Sequence, residues 1–499
     1  MADASPESIQ RLIENSEKGL AQIEMSSPIL LEERKALEDA IKKQNDRNVV
    51  LDLLLLVYDT LLAEDEVIYD LSASLDSLLK ATDDYAKRYY MQSLNLCFWE
   101  SCQLFVGEDG DEDGLLSKLL KLTKELNQAG CELILKHIID DIQEFRTNFA
   151  DRDLRNITRH YDDPVKMYEK QQELTSIEFF AKGASQLMAI RMEVSVVRSY
   201  LLNLLVPVKN SNNSVPQAPQ KRFDLKGMFN EAMFKAFKEK NLTEVVQQTL
   251  SDSEKALDDC YRLYQNCGEA ADFLEDRNCE IPETFKEMEM LIKMRMETLY
   301  LRCDLACSVW GYLNASSDKE RSQNLRLIHI TKQAALTHLY GYNEKARERS
   351  LWAKVRRMAE TNSERLNTAD LEKTLNELTS NLGEDRDNSN LFAHYRYKQE
   401  FYIPARLEAF SKMVHYKELT ESVKLLNVCK SLEIYTYNLL CCISETQRKE
   451  RKKRYDEWME KIEELVTKTG NDERVKTALK PMTDLIEKVY GGEKLSRNT

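Results

Sequence analysis

Glycine and proline are scarce in this chain, at 14 and 9 of 499 residues. So few breakers leave long helices uninterrupted. No stretch alternates apolar and polar residues as a strand ladder would. No glycine-rich phosphate loop, dinucleotide fingerprint or nucleophile elbow is present either, so the common nucleotide and hydrolase signatures are excluded. The 11 cysteines form no C-x-x-C pair; their odd count and scatter argue against a disulfide framework or a zinc site and for reduced, buried thiols. The most apolar run, LDLLLLVYDTLL, is interrupted by Asp52 and Asp59 and is too short to span a bilayer. The opening MADASPESIQ shows neither a basic segment nor an apolar one of the secretory kind. A cytoplasmic protein without membrane contact is expected.

The formal net charge is −14. This argues against a general nucleic-acid coat, which needs a broad basic face to release counterions. It leaves open an enzyme acting on nucleic acid in one confined pocket. Hydrophobic residues make up 42%, ample for sizeable cores in two to four domains. Segments such as EERKALEDAIKKQ and DEWMEKIEELVTK carry apolar residues at three- and four-residue spacing, so the fold class is all-α. Ser27–Pro28 and Asp163–Pro164 read as N-cap and N1 pairs.

The segment VPVKNSNNSVPQAPQKR, holding Pro207, Pro216 and Pro219, reads as an interdomain linker. The organisation expected is an N-terminal helical segment (1–45), a helical bundle (46–205), a linker (206–228), a second bundle (229–445) and a charged helical tail (446–499). The two bundles echo each other. DRDLRNITRHY (Asp151 to Tyr161) matches DRDNSNLFAHY (Asp385 to Tyr395) without gaps at six of 11 positions. MQSL (Met91 to Leu94) resembles METL (Met296 to Leu299) upstream, and SYLLNLL, ending at Leu205, resembles IYTYNLL, ending at Leu440, downstream. Three matches in the same order point to an internal duplication.

Several motifs read blandly. DGDEDG (Asp109 to Gly114) imitates a calcium loop, but Leu120 stands where the bidentate acid is required, so no metal or other cofactor is expected. RKERKKR (Arg448 to Arg454) reads as a solvated helix face on which Arg448 and Lys452 are weak candidates for phosphate contact. His137, His329, His338 and His415 stand singly, without metal-ligand spacing.

RNITRH differs. Arg155, Asn156 and His160 near a helix end are groups suited to phosphodiester chemistry, with Arg159 as a further phosphate contact. Arginine holds a phosphate and offsets developing charge, histidine moves a proton near neutrality, and asparagine positions either. The same residues also suit a helix C-terminus in which basic side chains offset the dipole.

The pattern R-N-x-x-x-H followed by Tyr, late in a Leu-rich helical region, resembles the R-x4–6-H signature of the HEPN superfamily. The resemblance implies tandem antiparallel helical bundles, paired face to face so that two motifs line one cleft. It further implies a metal-independent endoribonuclease of toxin or anti-phage systems that uses the RNA 2′-hydroxyl as nucleophile. Arg155 would then bind the scissile phosphate, His160 would handle the proton or orient the hydroxyl, and Asn156 would organise the pair. In the second copy Asn390 and His394 align with Asn156 and His160, but Ser389 replaces the arginine, and Arg386 lies too far upstream. His394 and Asn390 therefore form a possible second half-site. The cleft would be completed by intrachain pairing of the two copies or by a homodimer. A partner protein such as an antitoxin also fits. The alternative is a non-catalytic helical scaffold that binds a partner or senses RNA.

Overall fold

The computed structural model describes residues 30–43, 48–108, 113–157, 161, 163–205, 242–276, 283–316, 318–361, 366–380, 389, 392–394, 396–397, 400–401 and 403–468, with isolated positions at 281, 473, 479, 480 and 483. The described chain is all-α apart from one two-stranded antiparallel pair, Arg396–Tyr397 (β1) with Glu400–Phe401 (β2). The linker and the capping pair expected at Ser27–Pro28 lie outside the described residues, as does the DGDEDG stretch 109–112. No described helix is long and apolar enough to cross a membrane. No group of acids, histidines and cysteines among the described residues could hold a metal ion.

The first half begins with a helix described over 30–42 (α1), followed by α2 (Val49–Lys80), α3 (Asp84–Val106), α4 (Leu115–Glu125), α5 (Ala129–Phe149), α6 (Arg152–Ile157), α7 (Pro164–Gln172) and α8 (Ile177–Leu205). Local chemistry sets the boundaries. Asn48 accepts from the Val50 and Leu51 amides to start α2, and Asp83 accepts from those of Tyr85 and Ala86 to start α3. Gly107, at φ 87°, ends α3 in a conformation that penalises other residues. Asp163 caps α7 with Pro164 at its first turn, as the sequence indicates.

Helices α2, α3, α4, α5 and α8 pack on one another around Phe98, whose ring lies 5.3 Å from that of Phe145 and 6.2 Å from that of Phe180. The second half comprises α9 (Leu242–Glu275), α10 (Glu283–Asn314), α11 (Asp318–Tyr340), α12 (Glu344–Arg347), α13 (Leu351–Thr361), α14 (Thr368–Leu378), the β pair, α15 (Ile403–Lys412) and α16 (His415–Lys468). Here α10 is central, packed by α9, α11 and α16. Helix α16 continues unbroken through residue 446, where the charged tail was expected to begin.

The halves meet where α3 packs on α10 and α2 on α11. At Gly311 of α10 an added Cβ would lie 2.2 Å from the Tyr90 hydroxyl and 2.1 Å from Asn324 Oδ1, so a larger residue would displace these two side chains at the crossing. Tyr90 also donates to the Cys307 carbonyl at 2.9 Å. Buried acids of α2 close the contact. Arg326 donates to Glu66 (2.9 Å) and Asp70 (3.0 Å), and Arg406 pairs with both from α15. No disulfide links the described cysteines, and burial pushes the Cys303 and Cys307 thiols well up.

A candidate cleft between the two halves

Asn95 of α3 fixes the start of the motif segment. Its amide donates to the Asp151 carbonyl and accepts from the Asp151 N–H, both at 2.8 Å. The Asp151 carboxylate accepts from the Asp153 and Leu154 amides at 2.8 and 3.0 Å, capping the short helix α6. This anchoring places Arg155 and Asn156 on the wall of a cleft of about 920 Å³ between the halves. His394 and Ser389, from the second copy of the motif, line the same cleft.

The two matching segments converge on one carboxylate. Glu100 of α3, 3% exposed, accepts at Oε1 from Arg155 Nη2 (3.1 Å), and His394 Nδ1 lies 3.0 Å from the same oxygen. Arg155 Nη1 also donates to Asn156 Oδ1 at 3.0 Å. An ionised carboxylate only accepts, so the His394 hydrogen facing it sits on Nδ1. When the imidazole is protonated, one buried negative charge faces two cations and the trio carries a net positive charge.

A second imidazole lines the cleft. His338 of α11 presents Nε2 to Glu297 Oε2 at 3.0 Å, and its ring lies 5.5 Å from that of Tyr161. The residue that follows the motif histidine is thereby fixed as well: Tyr161 donates to Asp304 Oδ2 at 2.8 Å while Tyr85 donates to Oδ1 at 2.7 Å. Burial pushes the Asp304 carboxyl up to about 6, partly offset by these two hydrogen bonds, and it pushes both phenols well above their ordinary range. Lys345, Arg349 and Lys354 also line the cleft, and none forms an ion pair with a described residue. Within an acidic protein, this is a local cationic rim suited to an anionic ligand.

Of the residues singled out by sequence, Arg155, Asn156 and His394 are brought together. His160, Arg159 and Asn390 lie outside the described residues, as does the side chain of Arg448. Lys452 is exposed on α16 and does not line the cleft. Glu100, Glu297 and His338 carried no signal in the sequence: their partners lie 294, 41 and 41 positions away. In the motif matches, Met91 and Leu94 of α3 and Met296 and Leu299 of α10 are all buried in mid-helix positions. No protein-family model matches this chain, and no curated protein or solved structure does so either.

Proposed function

We propose that the chain is a metal-independent endoribonuclease of HEPN type, with one composite site formed within the chain by both motif copies. The observation that carries this reading is the shared Glu100 contact of Arg155 and His394 on the wall of a cleft rimmed by Lys345, Arg349 and Lys354. The rim attracts the phosphate backbone and Arg155 faces the scissile phosphate. His394, with His160 from the intact copy, handles the proton of the 2′-hydroxyl. The hydroxyl oxygen bonds to phosphorus, the 5′-oxygen leaves with a proton, and a 2′,3′-cyclic phosphate and a 5′-hydroxyl result. A role in cytoplasmic toxin or anti-phage defence follows from the family resemblance alone.

One observation favours a second reading, a non-catalytic scaffold that senses RNA or binds a partner: Arg155 is already held on a buried carboxylate. Incubation of purified protein with mixed RNA and a chelator separates the two. The enzyme reading expects cleavage by wild type and its loss in Arg155→Ala and His394→Ala. RNA binding without cleavage by any of the three supports the scaffold instead.

A further inference from the structure

Two glutamines in the walls of the cleft carry buried amide atoms with no hydrogen-bond partner among the described residues: Gln333 Nε2 and Oε1 on α11, and Gln92 Nε2 on α3. The residues are 3% and 6% exposed. Such a group bears its desolvation penalty in full, and native folds keep few of them without a use. Gln333 has both ends of its carboxamide unmatched, so the amide presents an unmet group whichever way it is flipped. The helices that carry the two glutamines are tied together close by. The hydroxyls of Tyr89, three residues before Gln92, and Thr331, two before Gln333, lie 3.1 Å apart. Leu96, Leu327, Ile330 and Ala334 add apolar wall to the same cleft, and Lys345, Arg349 and Lys354 add positive charge. A mostly apolar slot with a few polar groups and a cationic rim suits a nucleotide, the ring in the slot and the phosphate at the rim.

We propose that Gln333 reads the edge of an adenine base held in this cleft, its amide N–H donating to a ring nitrogen and its carbonyl accepting from the N6 amine. The inference rests on the ribonuclease reading for the ligand being RNA, and adds to that reading the base. A carboxamide sets one donor beside one acceptor, and glutamine meets adenine in this bidentate way. Adenine offers the complementary pair on both of its edges, N6–H with N7 and N6–H with N1. Guanine presents two acceptors, N7 and O6, on one edge and two donors on the other. Gln92 Nε2 adds a further donor to the cleft walls, which suits a base rich in ring acceptors. A pyrimidine brings less ring surface to the apolar wall than a purine does. A free adenine nucleotide carries the same chemistry as an adenosine within RNA, and the test separates the two sources.

Calorimetric titration of the full chain with the 5′-monophosphates of adenosine, guanosine, cytidine, uridine and purine riboside tests this, for wild type and Gln333→Met. The substitution keeps the length of the side chain and removes its amide; purine riboside lacks the N6 amine. Wild type is expected to bind the adenosine nucleotide about tenfold tighter than any of the others. Gln333→Met is expected to bind all of them within about threefold of one another and to melt no lower than wild type, because an unmatched buried amide is gone. An adenosine preference that persists in folded Gln333→Met overturns the assignment. So does equal binding of the adenosine and purine riboside nucleotides by wild type, or binding of none, and both of these are read without the variant. A second arm incubates wild type and chelator with RNA oligonucleotides that contain or lack adenosine. Cleavage confined to the adenosine-containing strand supports the proposal. Equal cleavage of both strands overturns the base assignment and leaves the ribonuclease reading standing. An adenosine preference in binding without cleavage of either strand removes the ribonuclease reading and leaves a free adenine nucleotide as the ligand of Gln333.

Discussion

Two clusters of charge join the halves of this molecule, one sealed and one open. In the sealed cluster, Glu66 and Asp70 meet Arg326 and Arg406; all four side chains are at most 9% exposed, and Tyr69 and Phe410 lie against the Arg326 guanidinium. In the open one, Glu100 and Glu297 are equally deep, but Arg155, His394 and His338 retain 26%, 17% and 15% exposure toward the cleft. The sealed cluster has two acids and two arginines and is neutral. The open one sets one guanidinium and two imidazoles at the cleft. Burial of matched charge fixes how two surfaces meet, whereas a buried acid behind an exposed imidazole orients a reactive group.

The clusters are also linked. Arg406 donates to the Phe392 carbonyl at 2.9 Å, two residues before His394, so the sealed network holds in place the segment that carries the histidine.

The largest separation expected is in stability. Arg406→Ala leaves Glu66 and Asp70 with one cation, and a cost of about 3–5 kcal/mol in chemical denaturation is expected. Arg155→Ala, whose guanidinium is 26% exposed and whose loss leaves Glu100 with His394, is expected to cost clearly less. A comparable loss in both would erase the distinction between the clusters.

Activity should show the reverse. Arg155→Ala and His394→Ala are expected to lower RNA cleavage by about 10²–10³ while the melting temperature changes little.

A third test concerns the acid beneath the cleft. In the folded protein Asp304 titrates at about 6, above its ordinary value of 3.8, so the fold binds this proton more tightly than the unfolded chain does. The resulting stability is full below about 4 and is lost as pH rises through 6, on the order of 3 kcal/mol in all. Asp304→Asn should remove this share, flattening the wild-type decline in denaturation free energy between about pH 4 and 6.5. An unchanged slope would refute it. Tyr161→Phe should cost about 1 kcal/mol by removing one hydrogen bond from Asp304.

The smallest effect lies at the rim. Single alanine substitutions at Lys345, Arg349 or Lys354 should weaken RNA binding independently of sequence and each lower the salt slope by about one unit. An unaltered slope would place the RNA elsewhere.

What the sequence disclosed follows from the range of each interaction. Helix spacing, the Asp163–Pro164 cap and the pairing of Arg155 with Asn156 are local, and all were visible in it. Asp59 read there as an interruption of an apolar run; the fold buries it against Arg34 at 2.5 Å, 25 positions away. The acids of α2 found their cations up to 336 positions away, a convergence no periodicity encodes. His338 passed for a solitary histidine because Glu297 approaches it only when α10 and α11 pack. The two-residue strands β1 and β2 are too short to show an alternating pattern.

The central claim is that Arg155 and His394 of one chain serve one site. Complementation tests it most directly: Arg155→Ala and His394→Ala are purified separately, mixed, and assayed on RNA with a chelator. The account expects each variant and the mixture to be inactive beside an active wild type, because no chain in the mixture holds both residues. Recovery of a substantial fraction of wild-type cleavage on mixing would contradict it, showing that the two residues act from different chains.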